Sequence, residues 1–181
     1  MKPYYFNLEK SGLCVTVREA EKMDLAELTN IYNYYIKNSA ITFDLHPFSI
    51  KERGEWFEHY NQNDLHRLFV AELEDKVIGY ASSSPFRPKD AYLTSVETSI
   101  YLSPYIIGNR IGKVLYRYLF DALEGTDLHK AYAVITVPND QSIELHRKFG
   151  FKKIGLFEEV GRKFDQYHDV EWWEKNLNEG G

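Results

Sequence analysis

Residues 99–123 read SIYLSPYIIGNRIGKVLYRYLFDAL: an apolar run closed by Ser-Pro, a short loop with glycines at 108 and 112, then an amphipathic segment. Ile111, Val114, Leu115, Tyr118, Leu119 and Ala122 share one face of a helix predicted over 110–124. A strand that passes through a glycine loop into such a helix commits the chain to layered α/β packing, because each element has an apolar face to bury against the other. The loop also offers free N–H groups and the positive end of the helix dipole to an anion. Lys113 and Arg117 place positive charge in the first two turns, where it opposes that dipole unless an anion is held there. GNRIGK has neither Walker nor G-x-G-x-x-G spacing, so an anion seat and an ordinary glycine loop both stay open at this point.

The rest of the chain has the same alternating character. LCVTVREA reads as a strand, and KMDLAELTNIYNYYIKNS as a helix with Leu25, Leu28, Ile31, Tyr32, Tyr35 and Ile36 on one face. Asp24 with Glu27 predicts the start of that helix, and Ser49 with Glu52 a capping box for a second one burying Ile50, Trp56, Phe57 and Tyr60. RLFVAEL and KVIGYASSS form a hairpin turned at EDK, YLTSVETSIYL is a strand, and AYAVITV is another. Ser142–Phe149 is a short helix closed by Gly150, with KKIGLF and YHDVEWW as final strands. The order β-α-α-β-β-β-α-β-α-β-β predicts an α/β domain with a mixed sheet.

With 181 residues the chain suits one domain with a real core. A net charge of −5 disfavours a general nucleic-acid binder, which needs a basic face. Aromatics at 15% point to aromatic-lined pockets or an aromatic subunit contact. Cys14 is the single cysteine, so no internal disulfide forms; a reducing compartment and a small buried packing role in LCVTV are expected. With no membrane-length apolar run and no signal-peptide core, a cytoplasmic protein without membrane partner is expected. The first twelve residues read as an N-terminal arm before a domain over 13–177. The histidines show no metal spacing, and no metal is expected.

Chemistry gathers at three places. Glu97 stands in TSVETSI on a predicted interior strand, where a carboxylate is costly unless paired or functional. Arg87 and Lys89 precede it in SPFRPKDAY, two cations suited to a carboxylate ligand. VPNDQSIELHRKFGF turns a strand into a helix, with Asn139 or Asp140 as cap and His146 inside.

A glycine loop after a strand, an Asn at the top of the next strand and a helix ending in FGF together resemble the GNAT superfamily of N-acetyltransferases. VTVREAEKMDLAELTNIYNYYI, AITF, SPFRPKDAY, SVETSIYLSP, VPNDQSIELHRKFGF and YHDVEWW are similar to phosphinothricin and methionine-sulfoximine acetyltransferases. The resemblance implies one mixed sheet splayed between two central parallel strands, flanked by helices, with acetyl-CoA as co-substrate in the splay. It implies that Ile100, Tyr101 and Leu102 offer strand-edge backbone groups to pantetheine, that Gly108, Asn109, Arg110, Ile111, Gly112 and Lys113 wrap the pyrophosphate, and that Asn139 and Ser142 hold the pantetheine arm. It gives Glu97 the role of general base toward the α-amine of a small amino-acid-like acceptor, His146 an acid/base contribution, and Phe43, Arg87, Lys89, Asp90, Ala91 and Tyr92 the acceptor site.

Two departures from the family loop matter: Ile107 replaces its usual Gln or Arg, and Arg110 replaces its middle glycine. Retained binding is expected, with Arg110 already helical at negative φ and its guanidinium on a phosphate; a positive φ would strain the seat instead. Trp172 and Trp173 point to opposite faces of one strand, and the one outside the core is expected at a homodimer contact. A catalytically silent acyl-CoA-binding module and an unrelated anion-binding α/β domain are the alternatives.

Overall fold

The computed structural model describes residues 1–8, 12–61, 65–106 and 110–177. Its strands are β1 (Tyr4–Asn7), β2 (Cys14–Glu19), β3 (Leu68–Leu73), β4 (Lys76–Pro85), β5 (Ser95–Leu102), β6 (Lys130–Val137), β7 (Lys152–Lys163) and β8 (Gln166–Asn176). The helices are α1 (Leu25–Asn38), α2 (Ile50–Glu58), α3 (Ile111–Leu123) and α4 (Asp140–Lys148). The strands are hydrogen-bonded in the order β1-β2-β3-β4-β5-β6-β8-β7, with β5 and β6 parallel. This is the mixed α/β sheet flanked by helices that the alternation of periods requires. No helix among the described residues is long and apolar enough to cross a membrane.

Two units divide the chain. The first comprises Met1–Tyr32, Phe48–Ser84 and Ser99–Thr126. Period-two alternation turns Val15 and Val17 of β2 inward, α3 packs on β2 and β3, and its Leu115, Tyr116 and Leu119 are fully buried. Phe69 of β3 meets Tyr118 of α3 edge-on with ring centroids 4.8 Å apart. The β3–β4 turn places Glu74 and Asp75 both at positive φ, the conformation whose twist matches a two-residue hairpin. At Gly79 of β4 a Cβ would stand 3.0 Å from the Tyr101 carbonyl oxygen and 3.3 Å from Leu102 Cα, so only glycine admits β5 this close.

Several expectations change here. Residues 4–7 of the predicted arm are an edge strand paired with β2, and Leu8 is buried. Cys14 is exposed, because the alternation that buries Val15 and Val17 turns it outward. Asp24 does not cap α1; it closes a capping box with Glu21 on a 3₁₀ turn over Lys22–Asp24 and is ion-paired with Arg18. Glu27 accepts the Val77 N–H at 2.7 Å instead of reaching back to the helix start. Ser49 and Glu52 do form the expected box on α2. That helix buries Arg53 and leaves Ile50 exposed. The Arg53 guanidinium lies 3.5 Å from the Trp56 ring centroid and 4.5 Å from that of Tyr32, so π faces take the place of a carboxylate.

The second unit comprises Asn33–Pro47, Pro85–Thr98 and Asp127–Gly181. β6 buries Ala131, Ala133 and Ile135 on one face, and pairs with β5 through Ser95↔Lys130, Val96↔Ala131 and Glu97↔Tyr132. The β7–β8 hairpin is longer than KKIGLF and YHDVEWW indicate, and β7 carries two register shifts. Val170 and Trp173 are its buried residues on the β6 side. α4 ends as expected, with Gly150 at φ +84 and its N–H donating to the Arg147 carbonyl.

Candidate active site

Glu97 stands near the start of β5, between the buried Val96 and Thr98. Its own side chain is part-buried, and burial raises its pKa while the charge of Arg87 pulls it back down. The register that pairs Glu97 with Tyr132 sets the phenol ring beside it on β6. Phe86 stacks on Tyr132 at 4.2 Å with the rings 20° apart, and meets Trp172 edge-on at 6.1 Å. The Arg87 guanidinium lies over Phe86 at 4.4 Å and over Trp172 at 5.3 Å, and donates to the Phe86 carbonyl. The part-buried Glu97 carboxylate thus lies in the field of an exposed cation seated on aromatic rings.

Phe86, Tyr132 and Trp172 are the members that sequence patterning missed. Phe86 lies inside SPFRPKDAY and its aromatic character was the available signal; Tyr132 and Trp172 come from strands far along the chain. Trp172 packs on Phe86 and on Phe157, 5.9 Å away. Tyr92 meets Phe86 edge-on at 5.7 Å and remains 42% exposed. Lys89, Asp90 and Ala91 are exposed, with Asp90–Tyr92 forming a 3₁₀ turn. Phe43 lies in the loop after α1, its ring 6.3 Å from that of His168.

On α4, Asn139 is the N-cap and its side-chain oxygen accepts the Ser142 N–H at 3.2 Å. His146 is 3% exposed, and its Nδ1 stands 2.7 Å from the Ser142 carbonyl oxygen. A carbonyl only accepts, so Nδ1 carries the proton and the neutral ring's lone pair is on Nε2. Burial lowers the His146 pKa, with the Ser142 carbonyl opposing, and the ring is neutral at neutral pH.

In the first unit, Tyr101, the middle residue of Ile100–Leu102, stacks on Tyr80 at 5.5 Å and meets Tyr32 edge-on at 5.1 Å. Gly108 and Asn109 lie outside the described residues. Ile111 and Gly112 are buried in the first turn of α3, Lys113 is exposed, and that turn carries no acidic side chain. Arg110 departs from expectation. It is the N-cap of α3 at φ +61, left-handed, and does not continue the helix. The backbone here has the conformation that glycine adopts freely, at a cost of about 1 kcal/mol for a side-chain-bearing residue. Arg110→Gly is accordingly expected to be about 1 kcal/mol more stable than Arg110→Ala, both variants lacking the guanidinium. Urea unfolding of the pair checks this, and equal midpoints would count against the strain.

The acetyltransferase (GNAT) domain family matches residues 17–172. An N-acetyltransferase of Streptomyces griseus is 48% identical, covering 91% of this chain and 88% of the relative. A phosphinothricin N-acetyltransferase of Streptomyces coelicolor is 47% identical, covering 90% of this chain and 96% of the relative. Among solved structures, a phosphinothricin acetyltransferase from Sinorhizobium meliloti in complex with acetyl-CoA superposes with a TM-score of 0.85 at 36% identity, covering 92% of this chain and 90% of that one. The sheet with its parallel β5–β6 pair, the part-buried glutamate on the first strand of that pair and these relatives agree: the chain belongs to the GNAT acetyltransferase family and is an N-acetyltransferase.

Proposed function

We propose that the protein acetylates the α-amine of a small amino-acid-like acceptor of the phosphinothricin or methionine sulfoximine/sulfone type by direct transfer from acetyl-CoA, with Glu97 as general base. The observation that carries the reading is the Glu97 carboxylate, raised by burial and tempered by Arg87 on its aromatic floor. Acetyl-CoA, when bound, supplies an acetyl thioester. The acceptor amine arrives as ammonium, and only the neutral amine has a lone pair to attack with. Glu97 takes that proton, directly or through one water, and a raised pKa brings the carboxylate closer to the proton it must accept. Arg87 is the partner for the acceptor's carboxylate, with Lys89, Asp90, Ala91 and Tyr92 around it and Phe43 as apolar wall. His146 contributes through Nε2.

The residues assigned to the cofactor fit a pantetheine pyrophosphate in two respects. The α3 N-terminus is free of acidic side chains and followed by Lys113 and Arg117, and Tyr101, the middle residue of Ile100–Leu102, packs against two aromatic rings. Asn139 and Ser142 supply further amide and hydroxyl groups. The family precedents support the substrate class: relatives carry the names phosphinothricin N-acetyltransferase and L-methionine sulfoximine/L-methionine sulfone acetyltransferase. The test is a thiol-release screen with acetyl-CoA against L-phosphinothricin, methionine sulfoximine, methionine sulfone and the common amino acids. Turnover concentrated on the first three is the expected result; acetyl-CoA binding by calorimetry with no thiol release across the panel would select the silent module instead.

A further inference from the structure

The loop that carries Phe43 is held at two points by β7. Gly161 is the first. A Cβ on it would stand 2.5 Å from Cζ and 2.6 Å from Cδ2 of the Phe43 ring, and closer still to Cε2, so the ring rests directly on the glycine backbone. Gly161 pairs with His168 across the hairpin, and the His168 ring lies 6.3 Å from Phe43 at 42°. The His168 Nε2–H donates to the Lys163 carbonyl at 3.0 Å, which fixes that ring. Lys163 is the second point. Only 4% exposed, its ammonium donates to the Thr42 carbonyl at 2.7 Å, one residue before Phe43. Burial lowers the Lys163 pKa and the Asp44 carboxylate raises it, so an amine that would be cheaper in water is kept inside, tied to this loop. Thr42 itself is buried, and its hydroxyl meets both the Asp44 carboxylate and the Asp44 N–H.

We propose that Gly161 and Lys163 are positioning residues for the acceptor: they set where the Phe43 ring stands and, through it, which small amino-acid side chains the enzyme accepts. The inference rests on the reading of Phe43 as the acceptor's apolar wall. An apolar wall discriminates by shape alone, so its selectivity depends on being held in place. Neither residue touches the acceptor. Gly161 acts by having no side chain, and Lys163 by one hydrogen bond to the backbone.

The test uses steady-state kinetics on Phe43→Ala, Gly161→Ala, Lys163→Met and the Phe43→Ala/Gly161→Ala double variant, with L-methionine sulfone and L-phosphinothricin as acceptors. Gly161→Ala and Lys163→Met are expected to raise the acceptor KM by about tenfold or more, since misplacement on the ångström scale costs up to 10²-fold. The acetyl-CoA KM is expected to stay within about twofold, a split that general loosening of the fold would not produce. In the Phe43→Ala background the Gly161→Ala penalty should vanish, because the new methyl group then has no ring to displace. An unchanged acceptor KM in Gly161→Ala, a parallel rise in both KM values, or additive effects in the double variant would overturn the proposal. Phe43→Ala separates the two layers. If it leaves the acceptor KM unchanged, the placing of Phe43 at the acceptor fails; if it raises that KM while Gly161→Ala does not, the clamp alone fails.

Discussion

Glu97→Gln lowers kcat by roughly 10²–10⁴-fold on this account, the range expected when a general base is removed while shape is kept. The amide cannot take the ammonium proton, and the neutral fraction of the acceptor is then all that reacts. The pH dependence follows from the direction of the shift. Burial raises the Glu97 pKa above its ordinary 4.5, against the pull of Arg87, so the acid limb of kcat/KM lies above the ordinary carboxylate range. The same shift has a stability consequence of opposite sense to that of a salt-bridged acid. Below pH 4.5 the group is protonated in both states and contributes nothing. As the pH rises, the unfolded chain releases its proton first, which favours unfolding, and this penalty is complete above the folded-state pKa. Glu97→Gln is therefore expected to be less active yet at least as stable as the parent at neutral pH. Full turnover in this variant, or an acid limb at the ordinary glutamate value, would remove the base assignment.

Arg18→Met is expected to destabilise the fold by about 3–5 kcal/mol, the cost of breaking a buried pair from one side. The guanidinium grips Asp24 with both prongs, at 2.7 and 2.9 Å, and bonds Glu72 through Nε at 3.1 Å. Asp24 is only 4% exposed and keeps one other donor, the Glu21 N–H at 2.7 Å. Without Arg18, the buried Asp24 carboxylate would be left near the part-buried Glu72 carboxylate with no cation between them. A lysine at 18 keeps the charge but cannot match the two-pronged geometry, so Arg18→Lys should fall between the parent and Arg18→Met. Each kcal/mol corresponds to about 2–4 °C of Tm for a chain of this size. A loss under about 1 kcal/mol in urea unfolding would place the trio among ordinary surface pairs.

That trio also shows where sequence reading stops. Asp24 looks like a helix cap because it precedes an apolar repeat and is followed by Glu27; the decisive partners lie on β2 and β3, and nothing local announces them. Ile50, expected inside, is exposed and Arg53 is buried for a similar reason: the start of α2 faces outward, and aromatic rings from α1 and α2 make a better surface for a guanidinium than periodicity can foresee. What was local was legible. The α3 face, the Ser49–Glu52 box, the turn at Glu74-Asp75 and the closing Gly150 each follow from a few adjacent residues. Glu97 was legible because a carboxylate in a run of small and β-branched residues needs a reason. Its aromatic floor was not, since Tyr132 and Trp172 meet Phe86 only once the sheet is assembled. Arg110 is the instructive intermediate case. The exchange of a family glycine is visible in the sequence, but which φ the arginine adopts is not, and it is left-handed.

The central claim is direct transfer of an acetyl group to an acceptor amine, and the most direct measurement follows both products at once. With the best acceptor of the screen, free thiol and N-acetyl amine should appear in equal amounts from the first turnover, and the protein should gain no acetyl group by mass spectrometry. Thiol release without matching N-acetyl product, or an acetylated protein that forms before the product, would contradict it.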